Sequence, residues 1–523
     1  MLRRYTASAD NTIVNAYQPN LTTRGTGSNM GRADIIEVFS IYGRVTTSSQ
    51  ELSRALIKFP ITTISSDRTS GRIPASGAVS FYMKVYNAPH ARTTPVDYKL
   101  VAAAVTKEWQ EGDGLDLEGY KDLVQGNIGS DWIQAREGTN WTSVGGDFKG
   151  HGDTSGEYVY EQSFPQGTED MEINITPMVE HWIAGDISNY GVIIKLSGSY
   201  EARASAAYVT EDSSVALNTT GATKSYYTKR FFGKGSQFFF KRPVIEARWD
   251  STTKDDRGNF YFSSSRAPSA DNLNKIYFYN MIRGRLRNIP GIGTTYGTAD
   301  STVRISLFSG SKDNSRPSGS ALTMCNSVTV VTGGWVSTGI YSCSICIASS
   351  STSPLYDVWF SGSNAIANAA TSTKQYFTGT IRPLTYDTGI STADEVYRLA
   401  VTNLQPRYLA KDTVRLNLFV REKYWKPTIY TVANSQVESQ TVVSASYRVY
   451  RLLDGYEAIT YGTGSDYHTG LSYDVSGNYL DLDMSLLESG YAYGLKFAFY
   501  DDRNASWQEQ QEVFKFRVED YEY

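Results

Sequence analysis

The stretch that decides the fold is residues 79–86, which read VSFYMKVY. Its odd positions are apolar, and its even positions carry hydroxyl or amine groups. A period of two gives a β-strand one apolar and one polar face, which is typical of a strand half-buried in a sheet. The same alternation returns at 303–307, 414–421, 479–484 and 491–499. The pattern therefore predicts strands along the whole chain.

Composition agrees with this pattern, because 38 Tyr and 44 Gly among 523 residues favour strands and turns. The best helix candidate is 176–185, with Thr176 suited to the N-cap, Pro177 to the first turn and Gly185 to the position after the end. A second short helix is expected at 117–124. We predict an all-β protein with a few short helices.

The length suggests about three domains of ~150 residues. Polar, turn-rich stretches at 250–269 and 381–389 interrupt the strand pattern. They divide the chain into three β-sandwich or jelly-roll-like modules at 1–255, 256–384 and 385–523, the last of them Ig-like.

Charge and apolar content exclude several classes of partner. The chain has 50 basic and 54 acidic residues, a net charge of −4, so no strong field favours nucleic acid. It has no apolar run of 18 residues, so we expect no membrane span. Two arginines near Met1 precede no apolar segment, so we expect no signal peptide. Three cysteines exclude a disulfide framework.

Two clusters could bind a metal. His151 and Asp153 are separated by one glycine, but a single His-x-Asp is far more often a solvated loop. The other cluster is an acidic stretch that could bind calcium, although its spacing does not match an EF-hand. We favour a solvated acidic loop and predict no metal or other cofactor. The acidic residues of this stretch are Glu111, Asp113, Asp116, Glu118 and Asp122.

Candidate reactive groups are few. Cys343 and Cys346 form a C-x-x-C within a predicted strand, so burial is favoured over zinc or redox chemistry. Asp481 and Asp483 share one strand face and could act on a sugar, but the outer face of a sheet is favoured. His181 lies in the predicted helix, where a satisfied, partly buried role is expected. No nucleotide-binding, zincin or hydrolase motif occurs, and we predict no enzyme activity and no catalytic residue.

Four tryptophans of the first module lie between residues 109 and 182. Exposed aromatic rings could stack on sugars, but packing in a core is the commoner role of tryptophan. A glycan-binding role would need two of these rings side by side in an open groove. They are Trp109, Trp132, Trp141 and Trp182.

The first ~250 residues resemble the disaggregatase-related (DNRLRE) β-sandwich modules, which are similar to carbohydrate-binding jelly rolls. The resemblance implies a jelly-roll sandwich and allows a host-surface glycan as ligand, but transfers no binding residue. The stretches that carry it are 9–12, 53–59, 108–112, 139–147, 175–179, 189–195 and 242–247.

The whole chain also resembles virion structural proteins of marine T4-like tailed phages of the cyanophage type. The matching stretches are 4–11, 418–423, 425–432 and 471–479. The resemblance implies a neck, tail or baseplate component, assembled in the host cytoplasm. It also implies contacts with other virion proteins and a symmetric homo-oligomer.

The preferred contact segment is 419–440, which follows a strong strand and mixes aromatic with basic side chains. An ordinary connection between strands is about equally compatible with it. The leading hypothesis is a structural protein, the alternative is a glycan-binding adhesion protein using the first module, and a glycan-cleaving enzyme is the third. The predicted contact residues are Arg421, Lys423, Trp425, Lys426 and Tyr430.

Overall fold

The protein, as a computed structural model, is all-β, as the alternation predicts. The described residues are 1–43, 49–90, 94–115, 117, 128–150, 157–292, 302–310, 317, 320–325, 327–348, 354–362, 374–384, 396–423 and 439–520. The chain forms two compact units, one of residues 1–250 with 463–468 and one of residues 251–462 with 469–523. The break after Asp250 falls in the first polar stretch, while the division into three modules stays a prediction.

Strands of the first unit form two main sheets. The smaller has the order β1-β13-β5-β10, and the larger has the order β12-β3-β4-β11-β6-β9 with β2 paired to β4. The strands are β1 (Leu2–Thr6), β2 (Ala9–Val14), β3 (Ile35–Tyr42), β4 (Gln50–Lys58), β5 (Ser80–Val85), β6 (Tyr98–Ala104), β7 (Gln134–Arg136), β8 (Thr139–Asn140), β9 (Val159–Phe164), β10 (Met171–Asn174), β11 (Val192–Leu196), β12 (Tyr226–Phe232) and β13 (Val244–Arg248).

The core of the first unit includes the inward faces of both sheets. Phe81, Met83 and Val85 of β5 are buried there, so the predicted apolar face of this strand is confirmed. The larger sheet also buries its second face, where Leu56 and Ile193 pack with tryptophans. Burial on both faces explains why all five side chains of β11 are buried and do not alternate.

Three α-helices occur within the described ranges: α1 (Ile61–Thr69), α2 (Thr176–Ala184) and α3 (Ala206–Glu211). The predicted helix α2 is confirmed, but its N-cap is Ile175, one residue before the expected Thr176. Thr176 instead accepts a hydrogen bond from the Phe81 amide through Oγ1 (2.8 Å). None of the described helices has the length and apolar character that crossing a bilayer requires. The second predicted helix lies outside the described residues except for Leu117.

A six-residue segment from late in the chain, 463–468, belongs to the first unit. Asp466 accepts a hydrogen bond from Ser80 Oγ of β5 (2.8 Å). His468 is buried, and desolvation, assisted by the positive charge of Arg248, lowers its pKa to about 4. The segment is therefore a structural part of this unit.

Strands from 260–384 pair among themselves in the second unit. Their sheets have the orders β14-β24, β15-β21-β20, β16-β17 and β19-β18-β22-β23. The strands are β14 (Phe260–Tyr261), β15 (Asn274–Tyr279), β16 (Met281–Ile282), β17 (Arg285–Leu286), β18 (Arg304–Phe308), β19 (Val331–Thr332), β20 (Gly334–Ser337), β21 (Ile340–Ile345), β22 (Leu355–Ser361), β23 (Lys374–Ile381) and β24 (Pro383–Leu384).

The cysteines differ from expectation. Cys325 and Cys346 form a disulfide across 21 residues, with Cα atoms 5.6 Å apart. Strand β21 ends at Ile345, so Cys346 lies just beyond the alternating strand and can reach the loop at 325. Cys343 is buried within the strand, and its predicted packing role is confirmed. Burial raises the pKa of its thiol to about 12.

The remaining strands of the second unit form two sheets, ordered β25-β27-β31-β30 and β26-β34-β32-β28-β29, with β33 paired to β32. Leu416, Leu418 and Val420 of β27 are buried, as their alternation predicts. The strands are β25 (Tyr397–Val401), β26 (Arg407–Leu409), β27 (Thr413–Glu422), β28 (Ala445–Arg451), β29 (Glu457–Ile459), β30 (Ser472–Asp474), β31 (Gly477–Asp483), β32 (Ala492–Asp501), β33 (Ser506–Glu509) and β34 (Phe514–Glu519).

Candidate interaction surface

The predicted contact segment begins at the end of strand β27. Arg421 lies opposite Arg398 of β25, and the Lys423 amide donates to the Val396 carbonyl (2.7 Å). Lys423 is exposed and Arg421 is half-buried. The other three predicted residues, Trp425, Lys426 and Tyr430, lie outside the described residues. The contact stays a prediction, with two of its basic residues placed at one strand end.

A second surface is the β-hairpin 281–286, which we call the arm. Met281 pairs with Leu286, and Ile282 pairs with Arg285. The two turn residues, Arg283 and Gly284, have φ angles of 53° and 72°. Positive φ at both central positions is the signature of a type I′ turn, whose twist matches that of the strands beside it.

Side-chain amides fix the base of the arm. Asn280 Nδ2 donates to the Arg287 carbonyl (2.6 Å), and the Arg287 amide donates back to the Asn280 carbonyl (3.0 Å). Asn288 Oδ1 accepts from Trp335 Nε1 (3.0 Å) and from the Gly339 amide (2.7 Å). A Cβ at Gly339 would lie 2.6 Å from the Arg287 nitrogen, so only glycine permits this approach. The arm is consequently held at both ends.

The chemistry of the arm is that of a binding surface. Met281 is 62% exposed and Ile282 is 51% exposed. Arg283 and Arg285 are exposed. Apolar side chains beside arginine are enriched at protein interfaces, because arginine combines charge with a planar group that packs. The surface is suited to a partner with apolar and acidic groups.

Sequence reasoning missed the arm because its strands are only two residues long. Its one signal is Gly284, flanked by short apolar and basic runs. Arginine is an uncommon first residue for a type I′ turn, where Asn or Asp usually precedes the glycine.

The acidic stretch is only partly described. Glu111 forms an ion pair with Lys234 (2.8 Å) and accepts a hydrogen bond from the Asp10 amide (2.8 Å). Asp116, Glu118, Asp122, His151 and Asp153 lie outside the described residues, so the expected solvated loops stay predictions. Among the residues the structure describes, no three His, Cys, Asp or Glu side chains are grouped to hold a metal.

Asp10, next to this pair, is buried. Its Oδ1 has no hydrogen-bond partner among the described residues, while its Oδ2 accepts from the Lys234 amide (2.5 Å). Desolvation by burial raises the pKa of this carboxyl to about 7, opposed by the hydrogen bond from Lys234 and supported by the charge of Glu111.

Two carboxylates predicted to face outward do so. Asp481 accepts two hydrogen bonds from Arg415 (2.8 and 3.0 Å). Asp483 accepts from the Ser485 amide (2.9 Å) and caps a short turn. His181 is half-buried and bonds to Asp186 through Nδ1 (2.8 Å), which confirms its expected satisfied role.

The four tryptophans between residues 109 and 182 are all buried, which confirms the packing interpretation. Trp109, Trp132 and Trp141 also donate their indole N–H groups to backbone carbonyls at 2.7–2.9 Å. The open aromatic pair that the glycan-adhesion alternative requires is therefore not formed by these side chains. No observation among the described residues of the first unit favours that alternative.

Comparison with known proteins adds little. No family model matches the chain, and no curated protein matches it. Ten chains of solved structures match it, among them a protein from Corynebacterium diphtheriae that is named as membrane anchored. That match has 10% sequence identity and covers 99% of this chain and 98% of the other. Its TM-score of 0.13 carries no argument about fold or function.

Proposed function

We propose that the chain is a non-enzymatic structural component of a tailed-phage virion, a connector or decoration of the neck, tail or baseplate. It acts through contacts with other virion proteins and with further copies of itself in a symmetric assembly. It is assembled in the host cytoplasm and needs no cofactor.

The observation that carries the proposal is the arm. Exposed Met281 and Ile282 leave apolar surface in water, which is unfavourable unless a partner covers it. The base of the arm is fixed by Asn280 and Asn288, so little conformational entropy is lost when it docks. The arm, a rigid hairpin with apolar and basic side chains, is suited to binding a neighbouring subunit.

Resemblance to phage virion proteins supports a phage particle as the assembly in which the arm binds its neighbour. The stretches 4–11 and 471–479 resemble virion proteins of marine T4-like phages. The predicted contact segment, with Arg421 and Lys423, would supply a second basic contact in the same unit.

The first test is to locate the protein in the phage that encodes it. Quantitative mass spectrometry of particles washed in high salt should detect the chain at a copy number matching a ring or a multiple of the tail symmetry. Detection in the infected-cell lysate but not in washed particles would contradict the proposal.

The second test concerns the arm itself. A phage that lacks the gene is complemented with the double variant Ile282→Asp/Arg285→Glu or with the control Leu453→Asp, whose side chain is 78% exposed elsewhere in the same unit. Loss of a central contact should lower incorporation of the double variant by at least about tenfold. Leu453→Asp should be incorporated normally. Equal incorporation of both variants would show that the arm is not the contact.

A further inference from the structure

The second unit contains a polar cavity of about 410 Å³. It is lined by Tyr397 of β25, by Val442, and by the β32–β33 hairpin, which contributes residues 499–504, Gln508 and Gln510. Its volume is within the roughly 300–1,000 Å³ range of small-molecule sites. A ligand of one or two small rings would fit.

Three aromatic residues, Tyr397, Phe499 and Tyr500, contribute to the lining of this cavity. Tyr397 packs edge-on against Phe499, with ring centroids 5.4 Å apart. Tyr500, also lining the cavity, packs against Trp507 with centroids 5.5 Å apart. Tyr397 and Tyr500 are both half-buried, so each combines an apolar ring with a hydroxyl that can hydrogen-bond.

Apart from Val442, the remaining lining residues are polar and contain both donors and acceptors. Asp501 accepts from the Arg503 amide (3.0 Å) and from Asn504 Nδ2 (2.6 Å), so its carboxylate holds the turn in place. Gln508 and Asp502 are exposed and also line the cavity. Side-chain amides present a donor and an acceptor in one plane, which suits neighbouring hydroxyl groups that both donate and accept.

We propose that this cavity binds a neutral saccharide. Aromatic rings cover the apolar C–H face of a sugar, and planar amides and carboxylates bond to its hydroxyls. The lining contains two carboxylates, Asp501 and Asp502, and one guanidinium, Arg503, so its net negative charge would repel an anionic ligand. A bare cation is disfavoured, because Asp501 already accepts two hydrogen bonds within the turn.

This inference does not rest on the virion proposal, and it differs from sugar binding by the first module. The site lies in the second unit and uses none of the four buried tryptophans. A particle protein with such a cavity would have a ligand-binding role in addition to its contacts.

The test uses saturation-transfer-difference NMR on the full chain. The probes are the methyl glycosides of glucose, galactose and mannose, and N-acetylglucosamine, each at about 10 mM, where a site with a millimolar Kd is mostly occupied. The variants are Gln508→Ala and Asp502→Ala. The matched control is Gln511→Ala, an exposed glutamine close in sequence that does not line the cavity.

We expect saturation transfer to at least one probe in the natural chain and in Gln511→Ala. Binding should weaken about fivefold to tenfold in Gln508→Ala, because one or two hydrogen bonds are lost. If Gln508→Ala does not fold, Asp502→Ala gives the same readout. No transfer to any probe in the natural chain would overturn the proposal. Equal transfer in the natural chain and the folded cavity variant would overturn it as well, because the sugar would then bind elsewhere.

Discussion

Replacing Glu201 with Gln should destabilise the first unit more than replacing either of its two cationic partners. Arg54 is 1% exposed and bonds to Glu201 through Nε (3.0 Å) and Nη2 (3.1 Å). Lys195, 7% exposed, lies 2.9 Å from the same carboxylate. The buried Glu201 carboxylate is therefore the counter-charge of two buried cations, Arg54 and Lys195.

The magnitude follows from the charges that remain after each change. Glu201→Gln leaves Arg54 and Lys195 buried without a counter-charge, which costs about 3–5 kcal/mol. Arg54→Met leaves Glu201 paired with Lys195 but leaves the Gly145 carbonyl, which accepts from Arg54 at 2.8 Å, without this donor. Its cost should be about 1–3 kcal/mol, the penalty for an unsatisfied buried acceptor. Lys195→Met should cost about the same, since Arg54 and Glu201 remain paired.

The sign of the pH dependence is a second signature. Burial would raise the pKa of Glu201, but Arg54 and Lys195 outweigh it and hold the pKa below its usual range. Desolvation already lowers the pKa of Lys195, and Glu201 opposes that shift. Without Glu201, Lys195 should lose its proton more readily. The penalty of Glu201→Gln should therefore shrink as the pH rises.

Hydrogen exchange measured by mass spectrometry is the suitable assay, because it reports the opening free energy of chosen segments. Peptides covering β4 and β11 should lose the most protection in Glu201→Gln, and peptides from the second unit should not change. If Lys195→Met lost as much protection as Glu201→Gln at neutral pH, the account of one anion holding two cations would be refuted.

Three further changes are each measurable on the full chain. Cys325→Ser/Cys346→Ser should lower the free energy of unfolding of the second unit by about 3 kcal/mol, because the disulfide closes a loop of about 21 residues. The prediction would be contradicted if the variant and the natural chain had the same urea denaturation curve. Burial raises the pKa of Asp10 to about 7, so its stabilising contribution is full below about pH 4 and is lost as the pH rises through 7. Asp10→Asn should therefore remove up to about 3 kcal/mol of the change in unfolding free energy between pH 5 and 8, and an unchanged pH profile of stability would refute the assignment. Gly185→Ala should destabilise the end of α2 by about 1 kcal/mol, because Gly185 has φ of 83°, and thermal melting that matches the natural chain would show that the left-handed cap is unimportant.

Local patterns predicted the strands where one face alone is buried. Strand β5 and strand β27 follow their alternation, and α2 ends at Gly185 as expected. The apolar run of β11 is buried on both faces, and burial of that kind depends on the second layer of tryptophans, which local periodicity does not contain.

Features assembled from distant segments could not be read from the sequence. The disulfide joins Cys325 to a residue just past the end of β21, and its partner is fixed only when the loop folds back. The cavity brings Tyr397 beside residues about a hundred positions later in the chain. The arm was missed for a different reason, since two-residue strands give too few positions to show a period.

The six residues 463–468 have a consequence for how this gene can change. They complete the first unit, yet they are encoded more than 200 codons after Asp250. A recombination event that replaced everything after Asp250 as one block would also replace Asp466, the acceptor of the Ser80 hydroxyl. Exchange between related genomes should therefore preserve this short segment together with the first 250 codons, or be followed by compensating substitutions around Ser80.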